Sequence, residues 1–276
     1  VEQRLKVAYL GPAGTFSHMA ARKAFGLAVD YVEVSTIPAV FDAVERGHAT
    51  YGVVPIENSS EGGVTFTLDS LLTHELLIRS ELVLDVTQCL VGISEDLSLI
   101  ERVYSHPQAL AQCRGWLARN LPKAQLVVAT STSMAAREAS SDPTSAAIAS
   151  SLAAELNGLK VLREGIQDEA INATRFVVVG TTDAPPTGHD KTTLAFSTPD
   201  ERGALLKVLS IFHDEGINLS RIESRPSRSV LWEYVFFADL AGHCGDPSVA
   251  RAIARLRESC NMTKVLGSYP RSDGRT

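Results

Sequence analysis

The chain has 276 residues, 45% of them hydrophobic and 21% charged, which is enough apolar material for about two packed domains. Its net charge of −6, with both signs interspersed, argues against a nucleic-acid surface, because that requires concentrated basic charge. No apolar run approaches the ~20 residues that span a bilayer, and no signal-peptide core stands near the start. The four cysteines (Cys89, Cys113, Cys244, Cys260) lie far apart without a CxxC pair. They read as reduced thiols of a cytoplasmic protein, with no zinc site and no disulfide framework.

From Lys6 to about Gly180, short apolar runs alternate with helical patterns. Strands are expected at Val7–Leu10, Tyr31–Val34, Gly52–Pro55, Leu82–Val91, Arg102–Tyr104, Leu126–Ala129, Ala146–Ala149 and Phe176–Val179. Helices are expected at His18–Phe25, Ala39–Arg46, Thr67–Leu72, Ala109–Arg119 and Leu152–Leu156. This alternation predicts an α/β sheet with helices on both faces, whose ligands sit beyond the carboxyl ends of the strands. The segment 181–190, with two prolines and a glycine, reads as a linker. Beyond it the order becomes strand (Thr193–Ser197), helix (Gly203–Glu215), strand (Asn218–Arg225), strand (Val230–Leu240), helix (Pro247–Ser259), strand (Thr263–Ser268). That is a ferredoxin-like βαββαβ unit. One face of its sheet carries no helices and is open to an oligomeric partner.

The polar segments follow strands. Gly11–Ser17 reads as an anion-holding turn or as a plain turn capped by Ser17; it is neither a Walker loop nor a dinucleotide fingerprint. Pro55–Gly63 crowds hydrogen-bonding side chains at a strand end, either as a ligand loop or as a cap for the next helix. Ser105 and His106 are adjacent on an extended segment, so they point apart and make a poor nucleophile–base pair; a capping serine before a proline-initiated helix is the plainer reading. Arg175 stands at the mouth of the apolar run Phe176–Val179. A guanidinium there needs a carboxylate partner, supplied by Asp168 or Glu169 or by a ligand. In the C-terminal unit, Gly203–Leu206 and Glu223–Pro226 either line a small pocket or terminate a helix and an edge strand.

In combination the segments are more specific. Ala8–Ser17, Gly52–Ser59, Tyr104–Leu110 and Asn172–Phe176 resemble, in order, four motifs of the prephenate dehydratase family. Gly203–Leu206 and Glu223–Pro226 resemble the phenylalanine-binding motifs of an appended ACT domain. The resemblance runs from about Lys6 to about Tyr269, and Leu206 stands where many relatives carry valine.

The resemblance implies a periplasmic-binding-protein-like catalytic region of two α/β lobes in residues 1–182. Lobe one would hold about 6–80 plus 160–181, and lobe two about 81–159. A linker (183–190) and an ACT regulatory domain (191–276) would follow. With no chorismate mutase segment before Lys6 in this sequence, the monofunctional form is the one expected. The implied reaction removes water and carbon dioxide from prephenate without a cofactor or metal, since aromatisation drives it. Thr174 is the implied catalytic donor to the departing hydroxyl, with Glu57 or His106 behind it. Arg175 is expected to hold a substrate carboxylate through its bidentate fork. Thr15, Phe16, Asn58, Ser59, Ser105, Gln108, Asn172 and Phe176 complete the implied substrate site. L-phenylalanine is the implied effector, contacting Gly203, Ala204, Leu205, Leu206, Asn218, Glu223, Ser224, Arg225 and Pro226 between ACT domains of a homo-oligomer, a dimer or tetramer. A chain cut near Asp190 is then expected to keep some activity.

Overall fold

The computed structural model describes residues 4–169, 172–227 and 233–272. In chain order the first elements are β1 (Lys6–Leu10), α1 (Phe16–Phe25), β2 (Asp30–Val34), α2 (Ile37–Glu45), β3 (Tyr51–Asn58), β4 (Gly62–Gly63), α3 (Thr65–Thr73) and β5 (Leu77–Asp85). A second group comprises β6 (Cys89–Gly92), β7 (Arg102–Ser105), α4 (Pro107–Gln112), α5 (Arg114–Asn120), β8 (Gln125–Val128), α6 (Thr132–Ala139), β9 (Ser145–Ala149), α7 (Ser151–Leu156) and β10 (Lys160–Arg163). The chain then returns through β11 (Ala173–Gly180). It finishes with β12 (Asp190–Ser197), α8 (Ala204–Asp214), β13 (Leu219–Pro226), β14 (Tyr234–Ala241), α9 (Pro247–Ser259) and β15 (Met262–Pro270). The last expected strand pair is present, although residues 230–232 of the expected Val230–Leu240 strand lie outside the described residues.

Two α/β lobes result. The first sheet runs β2-β1-β3-β11-β5, with β4 against β3, and the second runs β10-β6-β9-β7-β8. Their central strands are continuous apolar runs, as a sheet covered on both faces requires; all of β9 (Ser-Ala-Ala-Ile-Ala) is buried. The pairing shifts the lobe boundaries expected from sequence. β5 pairs with β11 as far as Asp85, so lobe one extends past residue 80, and β10 pairs with β6, which puts 160–163 in lobe two. From sequence the run Leu82–Val91 reads as one strand because seven of its ten residues are apolar. Val86-Thr87-Gln88 instead forms the first crossing between lobes, and residues 164–169 lead into the second. The expected Ala109–Arg119 helix breaks at Cys113, where the Asp168 carboxylate caps the N–H groups of Gly115 and Trp116 at 2.7 and 3.0 Å.

The C-terminal sheet, β13-β14-β12-β15, packs α8 and α9 on one face. Its other face, bearing Ala195, Val235, Phe237, Leu266 and Tyr269, shares one core with Leu68, Leu71, Leu76 and Ile78 of lobe one. The helix-free face is therefore covered by the chain's own first lobe rather than left open for a partner. Gly267 permits this docking: a Cβ there would lie 2.3 Å from the Ile78 carbonyl oxygen.

Candidate active site

Thr174 lies where β11 pairs with β3, directly opposite Asn58. The Asn58 amide is oriented by its own loop, since its Oδ1 accepts from the N–H groups of Ser60 (2.9 Å) and Glu61 (3.2 Å). Its Nδ2 is thereby turned to donate to Asn172 Oδ1 at 3.0 Å and to Thr174 Oγ1 at 2.9 Å. Because Oγ1 accepts from Asn58, the Thr174 proton is directed elsewhere, and the chain of bonds polarises it. Thr174 is 8% exposed, and that exposure opens into a cleft of about 320 Å³ between the lobes.

Lobe one lines this cleft with Phe16, Asn58, Asn172 and Thr174; lobe two contributes His106, Gln108, Gln112 and Thr130–Thr132, and Gln88 stands at the crossing. His106 caps α4, its Nδ1 accepting from the Gln108 N–H at 3.4 Å, so the neutral ring carries its proton on Nε2. Ser131 caps α6 by accepting from the Met134 N–H at 3.0 Å, which sets the first turn of that helix in the cleft wall. Among the described residues no Lys or Arg lines the cleft. The lining therefore offers an anion neutral donors and the positive end of α6.

Several expected site residues lie elsewhere. Arg175 points to the opposite face of β11 and pairs with Asp239 (2.8 Å), Glu81 (3.0 Å) and Glu57 (3.0 Å). It holds these carboxylates rather than substrate, and Glu57, committed to Arg175 and Arg221, is likewise away from the cleft. Burial alone would lower the Arg175 pKa, but Asp239, Tyr269, Glu81 and Glu57 outweigh it and keep the guanidinium charged. Asp168 and Glu169 are not its partners either, Asp168 being spent on α5. Phe176 is buried against Val7, Tyr9 and Ala20 under α1. Ser105, fully buried, donates to the Ile148 carbonyl at 2.7 Å. Thr15 caps α1 and donates to the Leu10 carbonyl, while Ser59 Oγ accepts from the Ala173 N–H. The Gly11–Ser17 loop docks onto lobe two instead of holding an anion: Ser150 donates to the Gly14 carbonyl at 2.6 Å and Ser133 to that of Ala13.

Sequence reasoning missed Gln88, Gln112 and Thr130–Thr132. The run Thr130-Ser131-Thr132-Ser133 after a strand was the available signal, a helix cap among four hydroxyls. Away from the cleft, Asp183, His243 and Cys244 form a cluster of metal-ligand types. Both ring nitrogens of His243 are engaged by backbone, with the Gly245 N–H on Nδ1 and the Ala184 carbonyl on Nε2.

The family model described as prephenate dehydratase matches residues 7–184, and that of the ACT domain matches residues 192–258. A bifunctional chorismate mutase/prephenate dehydratase of Aquifex aeolicus is 47% identical over 99% of this chain and 75% of its own length. The chain belongs to the prephenate dehydratase family. A crystal structure of prephenate dehydratase from Arthrobacter aurescens in complex with L-Phe superposes with a TM-score of 0.89 at 40% identity, covering 98% of this chain and 92% of that one. A structure described as GqqA, a novel type of quorum quenching acylase, also gives 0.89, at 32% identity over 98% of this chain and 100% of that one.

In the ACT domain, Gly203, Ala204, Leu205 and Leu206 line a second pocket of about 520 Å³ together with Glu201, Tyr234, Phe236 and Asn261. Asn218 and Glu223–Pro226 do not line it within one chain. Glu223, Ser224, Arg225 and Pro226 run along the edge strand β13, and Glu223 accepts from Arg221. Exposed Leu206 and Ile222 lie on this same domain.

Proposed function

We propose that the chain is a prephenate dehydratase, converting prephenate dianion and one proton to phenylpyruvate, carbon dioxide and water. In this reaction the C4–O bond breaks with both electrons going to oxygen, and the carboxylate bond to C1 breaks with its electrons passing into the ring. The observation that carries the reading is the Asn58–Thr174 pair. Because Asn58 Nδ2 donates to its oxygen, Thr174 keeps its own proton free to point into the cleft, which suits a hydroxyl that must leave as water. Thr174 acts as a polarising donor, Asn58 as its positioning residue, and His106 is the ionisable group nearest in role to a proton source, lining the same cleft. The substrate carboxylates fit the α6 N-terminus with Thr130–Thr132 and the amides of Gln108, Gln112 and Asn172. This replaces the Arg175 clamp expected from sequence.

Acylase chemistry, the activity named for one structural neighbour, finds less support. The Ser105 hydroxyl is spent on a backbone carbonyl, and Thr174 faces an amide rather than a base. Incubating purified protein with prephenate and following phenylpyruvate absorbance tests the proposal; no turnover above the uncatalysed rate would refute it.

L-phenylalanine is the proposed effector, bound where Gly203–Leu206 of one ACT domain meet Glu223–Pro226 of another in a homo-oligomer. The separation of these two segments within one chain supports a site shared by two subunits. We place the enzyme in the cytoplasm, a compartment that suits its free cysteines.

A further inference from the structure

Gln88 occupies the first crossing between the lobes, only 3% exposed, in the wall of the cleft that holds Thr174. Its backbone is pinned to the second crossing on both sides: its N–H donates to Gln167 Oε1 at 3.0 Å, and its carbonyl accepts from the Ile166 N–H at 3.0 Å. Its side chain is pinned as well, Nε2 donating to Gln112 Oε1 at 3.1 Å. Among the described residues its buried Oε1 has no hydrogen-bond partner. Buried amide oxygens are almost always satisfied, and leaving one without a donor is costly. A rigidly held acceptor, orphaned beside a reaction cleft, is therefore shaped for a donor that arrives with the ligand.

We infer that Gln88 is a substrate-contacting residue whose Oε1 accepts the hydrogen bond of the substrate's C4 hydroxyl. The inference rests on the prephenate reading above, and the chemistry of that substrate makes it specific. Two carboxylates and a ketone are acceptors only, so the C4 hydroxyl is the one donor the dianion has to offer. Thr174 donates to this oxygen while Gln88 accepts its proton, and the two contacts together fix the rotation of the hydroxyl. When the C4–O bond breaks and the oxygen takes up a proton, the leaving group becomes water with two O–H bonds. Gln88 continues to accept one of them, stabilising the positive character that develops on the departing water. The C1 carboxylate leaves as carbon dioxide, and its bonding electrons complete the ring.

The test is Gln88→Met, which keeps the side-chain length and removes the acceptor together with the bond to Gln112, so an analogue that lacks the C4 hydroxyl serves as the control for the lost bond. Wild-type turnover of prephenate is measured alongside. We expect kcat to fall about 10- to 100-fold with KM changed by less than about 3-fold, the loss of one neutral hydrogen bond that strengthens in the transition state. The 4-deoxy analogue of prephenate, which lacks the donor, should bind wild type and Gln88→Met equally by calorimetry, showing that the cleft is intact. Wild-type kcat in the variant would overturn the inference while leaving the enzyme reading in place. A raised KM at unchanged kcat would also overturn it, because the amide would then be holding a carboxylate through its NH2. So would weakened binding of the deoxy analogue, which would make Gln88 a structural strut. A wild-type protein that does not turn over prephenate would remove both readings together.

Discussion

Arg175, on the strand that carries Thr174, donates to the Asp239 carboxylate of the ACT sheet at 2.8 Å. Successive side chains on a strand point to opposite faces, so β11 presents Thr174 to the cleft and Arg175 to the regulatory domain. Adjacent residues of one motif thus serve two different surfaces. The Arg175–Asp239 bond places the strand that carries Thr174 in direct contact with the ACT domain.

Removing the Thr174 hydroxyl should act on the chemical step. Thr174→Ala is expected to lower kcat by about 10²–10⁴-fold with a smaller change in KM, since the contact strengthens as the C4–O bond breaks. Thr174→Ser, which keeps the donor, should recover much of the loss. Steady-state kinetics decide it, and near-wild-type turnover in the alanine variant would remove Thr174 from the mechanism.

Arg175→Ala should instead be a stability variant. It strips Asp239, nearly inaccessible, of its ion-pair partner, while the equally inaccessible Glu81 keeps Lys191 at 2.8 Å. Breaking such a buried pair costs about 3–5 kcal/mol, or roughly 6–20 °C in melting temperature for a chain of this size. Burial would raise the Asp239 pKa, but Arg175, Arg221 and Lys191 overcome it and hold the carboxyl below its usual value. The unfolded chain therefore binds the proton more readily, and this stabilisation is present above about pH 4 and is lost as pH falls further. Melting scans from pH 3 to pH 7 should show a steep acid loss in wild type that is shallower in Arg175→Ala. A large rise in KM at unchanged melting temperature would restore Arg175 to the substrate site.

The strand–helix alternation and the βαββαβ tail were legible because each depends on local apolar periodicity. The motif residues were legible as a group but not individually. Which face Arg175 takes depends on Glu81 and Asp239, distant in sequence, and no local pattern reports them. α6 escaped notice because its buried face is alanine (Ala135, Ala136, Ala139), too small to stand out as an apolar stripe. Gln88 escaped because a single glutamine inside an apolar run carries no signal until the crossing it occupies is known. The lobe boundaries moved for the same reason.

Truncation near Asp190 is the case where the structure reverses the expectation from sequence. The ACT sheet completes the core over Leu68, Leu71, Leu76 and Ile78, and each such side chain loses about 1.5–3 kcal/mol when exposed. The truncated chain should aggregate or melt far below the full-length protein rather than persist as an unregulated enzyme. A monodisperse, active truncation, judged by size-exclusion chromatography and turnover, would show that lobe one does not need this cover.

The effector site calls for a variant that changes the pocket and nothing else. Gly203→Val would fill it, but Gly203 sits at φ +82° as the N-cap of α8, a conformation that valine adopts only under strain. Leu206 is the better probe, because it lines the same pocket and is 67% exposed, so trimming it leaves the core untouched. Leu206→Ala removes apolar surface that the aromatic ring of phenylalanine would cover. The concentration giving half-maximal inhibition should rise about 10-fold, equivalent to about 1.4 kcal/mol of lost binding. Basal turnover should stay unchanged, since no cleft residue is altered. If phenylalanine is shared between two ACT domains, it should also shift the subunit equilibrium toward the larger assembly in wild type, and do so less in the variant, as reciprocity between binding and association requires. Sedimentation with and without phenylalanine reads that shift directly, and an unchanged inhibition curve in Leu206→Ala would move the sensing site away from Gly203–Leu206.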